Sequence, residues 1–157
     1  MLSIINSLGL VGLNGYLVKV EIDVNKGLPS YDIVGLGDTA IRESKQRVAS
    51  AIKNQHYIFP IEKLTINLAP ADIKKEGSYY DLPISVGILT ATNQITMQKE
   101  ELSNYAFIGE LSLDGSIRQV KGVLPMLISA RMLGIKKVIV PYENINEACY
   151  IDGLEVY

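Results

Sequence analysis

Residues 67–89, NLAPADIKKEGSYYDLPISVGIL, constrain the fold of this chain more than any other stretch. They begin as the end of an apolar strand, residues 64–68, and cross a charged loop, residues 72–77. They finish in residues 82–89, too apolar to be anything but a buried helix. The start of such a helix carries unsatisfied N–H groups and a partial positive charge. Asp81 is placed to cap it, and Pro83 falls in the first turn, where a missing N–H does no harm. Gly77 gives the loop a position that accepts positive φ. A strand that delivers a polar loop to the start of a buried helix is a common frame for a site, and the layout alone names no chemistry.

The flanking sequence supplies the sheet that this unit needs. Residues 2–10 and 16–24 read as two strands about a turn carrying Gly12, Asn14 and Gly15. In the second, Val18, Val20, Ile22 and Val24 share one face, while Leu17, Lys19, Glu21 and Asp23 share the other. A turn at Lys26, Gly27 and Pro29 leads to a strand over residues 30–36. Asp38 reads as the N-cap of a helix running to residue 54. Its inner stripe is Ile41, Val48 and Ile52, with Ala40 and Ala51 beside them, and its outer face is Arg42, Glu43, Arg47 and Lys53. After a polar connection, residues 93–104, a strand over 107–113 meets a hairpin signal at Asp114-Gly115 and returns over 116–120. Gly122 opens a helix with Pro125 in its first turns, and Gly134 closes it. A strand over 137–140, a short helix over 144–150 and a strand over 154–157 complete the order. Strands first and then mixed helices and strands predict an α+β (α/β) fold, a mixed sheet with helices packed on it. Residues 1–157 read as one domain, and the ending inside a strand predicts a piece of a longer chain.

Composition narrows the function classes. At 157 residues, 48% hydrophobic and 20% charged, the chain is long and apolar enough for its own core. Fifteen basic against seventeen acidic residues leave a net charge of -2, so bulk electrostatics favour neither nucleic acid nor an anionic membrane. The apolar start lacks the basic segment of a signal peptide, and no apolar run reaches the roughly 18 residues that span a bilayer. Cys149, the one cysteine, reads as a small buried apolar residue and fits a reducing cytoplasm, the expected location. There is no G-x-x-x-x-G-K-[ST] phosphate loop, so no nucleotide site is expected in this chain. His56 is the only histidine, no ligand set accompanies it, and no metal site is expected.

Three stretches carry a resemblance: GLPSYDIVGLGDTAIRESKQRVASAI, LTINLAPADIKKEGSYYDLPISVGIL and IGELSLDGSIRQVKGVLPM. Together they resemble the N-terminal domain of the ComM/YifB family, magnesium-chelatase-like AAA+ proteins associated with bacterial DNA processing, including branch migration in natural transformation. Gly37 stands where that family more often has proline. The resemblance implies a ribosomal-S5-domain-2-like fold, shared with the proteolytic domain of Lon. It also implies a downstream ATPase module that uses ATP and Mg2+, with neighbouring subunits of a homo-oligomeric ring as partners. DNA is a further candidate partner, and a membrane is not.

The likeness to Lon raises Ser–Lys peptidase chemistry, in which a neutral lysine deprotonates a serine within hydrogen-bond reach. Lon-like proteases carry that serine in a K-D-G-P-S-A-G loop. Lys75, Glu76 and Gly77 match its first three residues, Ser78 falls on the proline, Tyr79 on the nucleophile and Asp81 on the glycine. The hairpin register places Leu124 at the lysine, while Ser78 and Lys121 lie nearby but out of register. No catalytic residue is therefore expected. Lys74, Lys75, Arg118 and Lys121 are candidates to converge beside the central helix, and such clusters hold phosphates. The candidate functional loop comprises Lys74, Lys75, Glu76, Gly77, Ser78, Tyr79, Asp81, Arg118 and Lys121. The resulting expectation is a non-catalytic accessory domain engaged in assembly, DNA contact or both. A Lon-like peptidase domain and a stand-alone nucleic-acid-binding module are the alternatives.

Overall fold

The computed structural model describes residues 1–148 and 151–157. Strands β1 (Leu2–Val11) and β2 (Asn14–Asn25) form an antiparallel hairpin. The alternation in β2 is realised, with Val18, Val20 and Ile22 fully buried. Strand β4 (Lys63–Ala69) pairs antiparallel with β2, and β3 (Ser30–Val34) pairs parallel with β4, giving the order β1-β2-β4-β3. The β3 strand stops short of the expected residue 36 because Gly35 and Leu36 both take positive φ.

A parallel pair needs a crossover, and here it is helical. The single helix expected over 38–54 is two, α1 (Thr39–Arg42) and α2 (Ser44–Asn54). The break falls where Ser44 turns fully inward and shares a 2.8 Å hydrogen bond with the Tyr31 hydroxyl. Asp38 caps α1 as expected, its Oδ1 accepting from the Ile41 N–H at 3.0 Å. Ile41, Val48, Ala51 and Ile52 face the core, and Ala40 is half-buried.

Helix α3 (Asp81–Ala91) lies against β1 and β2 and is buried along most of its length. Its backbone rests on the sheet: Ser3 Oγ donates to Gly87 O at 2.7 Å, and a Cβ at Gly87 would stand 2.5 Å from Ile22 Cγ1.

In the second half, the connection over 93–104 contains a short helix, α4 (Lys99–Leu102). The strand expected over 107–113 is two, β5 (Tyr105–Phe107) and β6 (Glu110–Leu111), because Ile108 N bonds to Ile139 O and Gly109 bonds to the start of α3. β6 and β7 (Ile117–Arg118) form the hairpin about Asp114-Gly115. Helix α5 (Val123–Met132) starts at Gly122 and ends before Gly134, as predicted. β8 (Lys137–Ile139), a 3-10 turn (Tyr142–Asn144), α6 (Ile145–Ala148) and β9 (Glu155–Val156) follow, and β5-β8-β9 form a parallel sheet. The last two residues of the helix expected over 144–150, Cys149 among them, lie outside the described residues.

The four-stranded and three-stranded sheets are joined through side chains of β1: Ser7 Oγ donates to Phe107 O at 2.8 Å and Asn6 Nδ2 to Tyr105 O at 3.2 Å. One apolar core lies between the larger sheet, α2 and α3, a second surrounds α5 and β8, and Tyr79 packs against both. The fold is α+β with a mixed sheet, as the order of elements implied. Among the described residues no helix is long and apolar enough to cross a membrane.

Candidate functional site

The loop between β4 and α3 is sewn to the loop between β3 and α1. Lys75 N donates to Leu36 O at 2.9 Å and Asp38 N donates to Lys75 O at 3.1 Å, one rung of parallel sheet between residues 37 and 75. Asp38 does two jobs, since its Oδ2 also accepts from the Gly77 N–H at 2.9 Å. Gly77 takes φ +94°, the region expected of it.

Lys75 departs from its expected role as a surface cation. It is fully buried, and its Nζ donates to Gly35 O at 2.7 Å and to Pro70 O. Burial holds its pKa below the ordinary lysine value, against the pull of Asp72. Lys74 is exposed and sits 3.6 Å from Glu76. Arg118 is exposed and donates to Ser112 Oγ at 2.6 Å, and Lys121 is exposed just before α5. The expected four-cation cluster therefore lacks Lys75, whose ammonium is turned into the protein to satisfy two loop carbonyls.

Asp81 is not the helix cap. The N-cap position belongs to Tyr80, whose side chain makes no capping bond, and Asp81 is the first helical residue. Its carboxylate, 1% exposed, accepts from Arg47 Nε at 2.6 Å, from Arg47 Nη2 at 3.0 Å and from Leu111 N at 3.1 Å. Arg47 also donates to Ala40 O at 2.7 Å. Arg47 thus reaches inward rather than lying on the outer face expected for it. Burial pushes the Asp81 carboxyl up, while Arg47 and the Leu111 amide pull it back; the bond to Asp81 raises Arg47. Spacing carried a signal for this contact: Arg47 lies three residues after Ser44 and four before Ala51, on the edge of the inner stripe.

Two of the free N–H groups expected at the start of α3 are occupied by carbonyls from outside the helix. Asp81 N donates to Ser78 O at 3.2 Å, Leu82 N to Gly109 O at 3.0 Å and Ile84 N to Tyr80 O at 3.0 Å, and Pro83 has none to give. Gly109 N returns a bond to Tyr79 O at 2.9 Å, so the segment before β6 seals the helix start. Ser78 Oγ donates to Glu110 Oε2, a carboxylate acceptor rather than a lysine. The Tyr79 ring packs 4.7 Å from that of Tyr80, and burial raises the pKa of both phenols. Leu124 is exposed on α5. An acyl-transfer site needs N–H donors aimed at a developing oxyanion, and the protein's own carbonyls fill that place at the start of α3.

A family model described as subunit ChlI of Mg-chelatase matches residues 20–144. The chain is 43% identical over 152 residues to the protein YifB of Escherichia coli, covering 97% of this chain and 29% of that one. It is 36% identical over 156 residues to the competence protein ComM of Haemophilus influenzae, covering 99% and 30%. To Lon protease 2 of Bacillus subtilis it is 28% identical over 171 residues, covering 98% and 30%. The chain spans about 30% of the length of these curated relatives.

Proposed function

The chain belongs to the family of subunit ChlI of Mg-chelatase, and we propose that it serves as a non-catalytic accessory domain of a ComM/YifB-type AAA+ ATPase. In this reading it keeps the ribosomal-S5-domain-2-like frame of the Lon peptidase without its chemistry. The start of α3 carries the proposal: the Asp81 and Leu82 N–H groups are bound to the Ser78 and Gly109 carbonyls, and Tyr79 stands at the nucleophile position. ATP and Mg2+ are then used by the rest of a longer cytoplasmic protein. The partners of this domain are that ATPase module and neighbouring subunits of a ring. The Haemophilus relative's name, competence protein, supports a role in DNA processing during transformation.

Incubation with unfolded casein and with a serine-reactive phosphonate is expected to give neither cleavage nor labelling. Labelling of Ser78 that disappears in Lys121→Ala would overturn the non-catalytic reading.

Assembly is the primary role, because Lys75, one of the four cations expected to converge beside α3, is buried. Fluorescence anisotropy with single- and double-stranded DNA is expected to show at most weak binding at low salt, lost at physiological salt. Binding that persists at physiological salt would make DNA contact the primary role instead.

A further inference from the structure

Strand β1 is an edge of the larger sheet, and its start lies open. Val24 N donates to Met1 O at 2.9 Å and the Met1 amine donates to Val24 O, so Met1 and Val24 form a hydrogen-bonded pair. The antiparallel register repeats that pairing at Ser3 with Ile22 and at Ile5 with Val20. Leu2 and Ile4 alternate with these residues, so their N–H and C=O groups point away from β2, where no strand meets them. The open stretch ends at Asn6, whose Nδ2 donates to Ser103 O at 3.1 Å and to Tyr105 O at 3.2 Å. Sheet edges are ordinarily blunted by charge or proline. The opposite edge follows this rule, since β3 is entered from Pro29 and carries exposed Asp32. Residues 1–5, MLSII, hold no charged side chain, and Leu2 and Ile4 are 53% and 45% exposed.

A groove of about 550 Å³ runs along this edge. Met97 and Leu102 pack with the core under α3 and line it on one side, while Leu2 and Ile4 line it from the other face of the sheet. The charged side chains in its lining, Lys19 and Lys99, are both basic. The acids on the Lys19 face of β2 are engaged: Glu21 accepts from Asn67 Nδ2 at 2.6 Å, and Asp23 accepts from Asn25 Nδ2 at 2.7 Å and lies 3.8 Å from the Met1 amine. Glu100 and Glu101 of α4 are exposed outside the lining. Unpaired N–H and C=O groups at every second residue match the backbone of an extended chain. We infer that the open edge of β1 takes an extended segment of a different polypeptide as an added strand, its apolar side chains against Met97 and Leu102 and its acidic ones toward Lys19. A second copy of this chain does not fit, because MLSII offers no acid and pairing β1 with β1 brings two amino termini and two sets of lysines together. The inference rests on this edge and is independent of the accessory-domain reading.

The probe is a fluorescent peptide of about eight alternating valine and glutamate residues, titrated with the chain carrying no N-terminal extension. Anisotropy is expected to saturate with a Kd below about 1 mM, and the Ile4 amide to become protected from hydrogen exchange in the complex. Ile4→Pro removes an outward N–H and spares the ladder to β2, so it should weaken binding at least about tenfold with little change in Tm. Two further peptides, N-methylated on one or the other set of alternate amides, keep the test independent of that variant's folding: one set faces β1 and should abolish binding, and the other faces solvent and should not. Lys19→Glu with Lys99→Glu should weaken binding at least about tenfold, as should lysine in place of the peptide's glutamate. No binding up to about 1 mM, equal binding of the two methylated peptides, or equal binding of the lysine peptide overturns the inference. Protection of the Ile4 amide that grows with the concentration of the chain alone makes a second copy the occupant and overturns it too.

Discussion

Replacing Asp81 with alanine is expected to cost about 3 kcal/mol of folding stability, a fall in Tm of roughly 6–12 °C for a chain of this size. The carboxylate is buried and accepts three hydrogen bonds, so its loss leaves the Arg47 guanidinium and the Leu111 amide without their acceptor. The side chain of Arg47 is 20% exposed, which places the effect at the lower end of the range for a broken buried pair. The paired replacement Arg47→Met with Asp81→Leu, which removes both charges but leaves the Leu111 amide without its acceptor, should recover part of the loss. Chemical denaturation of the three proteins checks this; a double variant no better than Asp81→Ala would mean that packing, not charge, sets the cost. The single variant Arg47→Ala should show an unusual pH dependence. Burial already raises the folded pKa of Asp81 above its unfolded value, and removing Arg47 raises it further. The folded state then holds a proton that the unfolded state has released. Stability therefore falls as pH rises from the ordinary carboxylate range, about 4, through the folded pKa. The variant's deficit against wild type should shrink on acidification from neutral pH, not grow.

Gly35→Ala is expected to cost about 4 kcal/mol and to reduce soluble yield sharply. Gly35 takes φ +102°, and a Cβ there would stand 2.3 Å from Leu68 O and 2.9 Å from Leu68 N. Those are backbone atoms of β4, which cannot move aside without loosening its pairing with β2. The Gly35 carbonyl also receives the buried Lys75 ammonium, so the displacement reaches the candidate site. Gly134→Ala is the control: φ there is +82°, but nothing lies within 4 Å of the added carbon, and about 1 kcal/mol is expected. Equal melting temperatures for the two variants would show that the close approach to β4 contributes nothing.

Periodicity made the faces of the elements legible, but not the reach of long side chains. The alternation from Val18 to Ile22, the cap at Asp38, the Asp114-Gly115 hairpin and the helix between Gly122 and Gly134 all follow from local chemistry, and the structure contains each. Arg47 and Lys75 were misread for one reason. A charged residue on a helix flank or in a polar loop reads as solvated, yet its stem is long enough to carry the charge to a buried acceptor. Those acceptors are supplied from elsewhere in the chain: Asp81 lies 34 residues from Arg47, and the Gly35 carbonyl lies 40 residues from Lys75. The division of residues 38–54 and of 107–113 was equally hidden, since Ser44 and Gly109 are diverted by the distant partners Tyr31 and α3. The Lon-like loop was legible as a motif, whereas the sealing of the helix start depends on Gly109 carbonyl geometry that no motif records.

The seam between residues 37 and 75 fixes when the loop becomes ordered. Asp38 holds Gly77, Leu36 and Asp38 hold Lys75, and Lys75 holds Gly35 and Pro70, all within one chain. The conformational entropy of these residues is therefore lost during folding and is not lost again on association. A partner that docks here meets a preorganised relief, and a larger share of its contact energy appears as affinity.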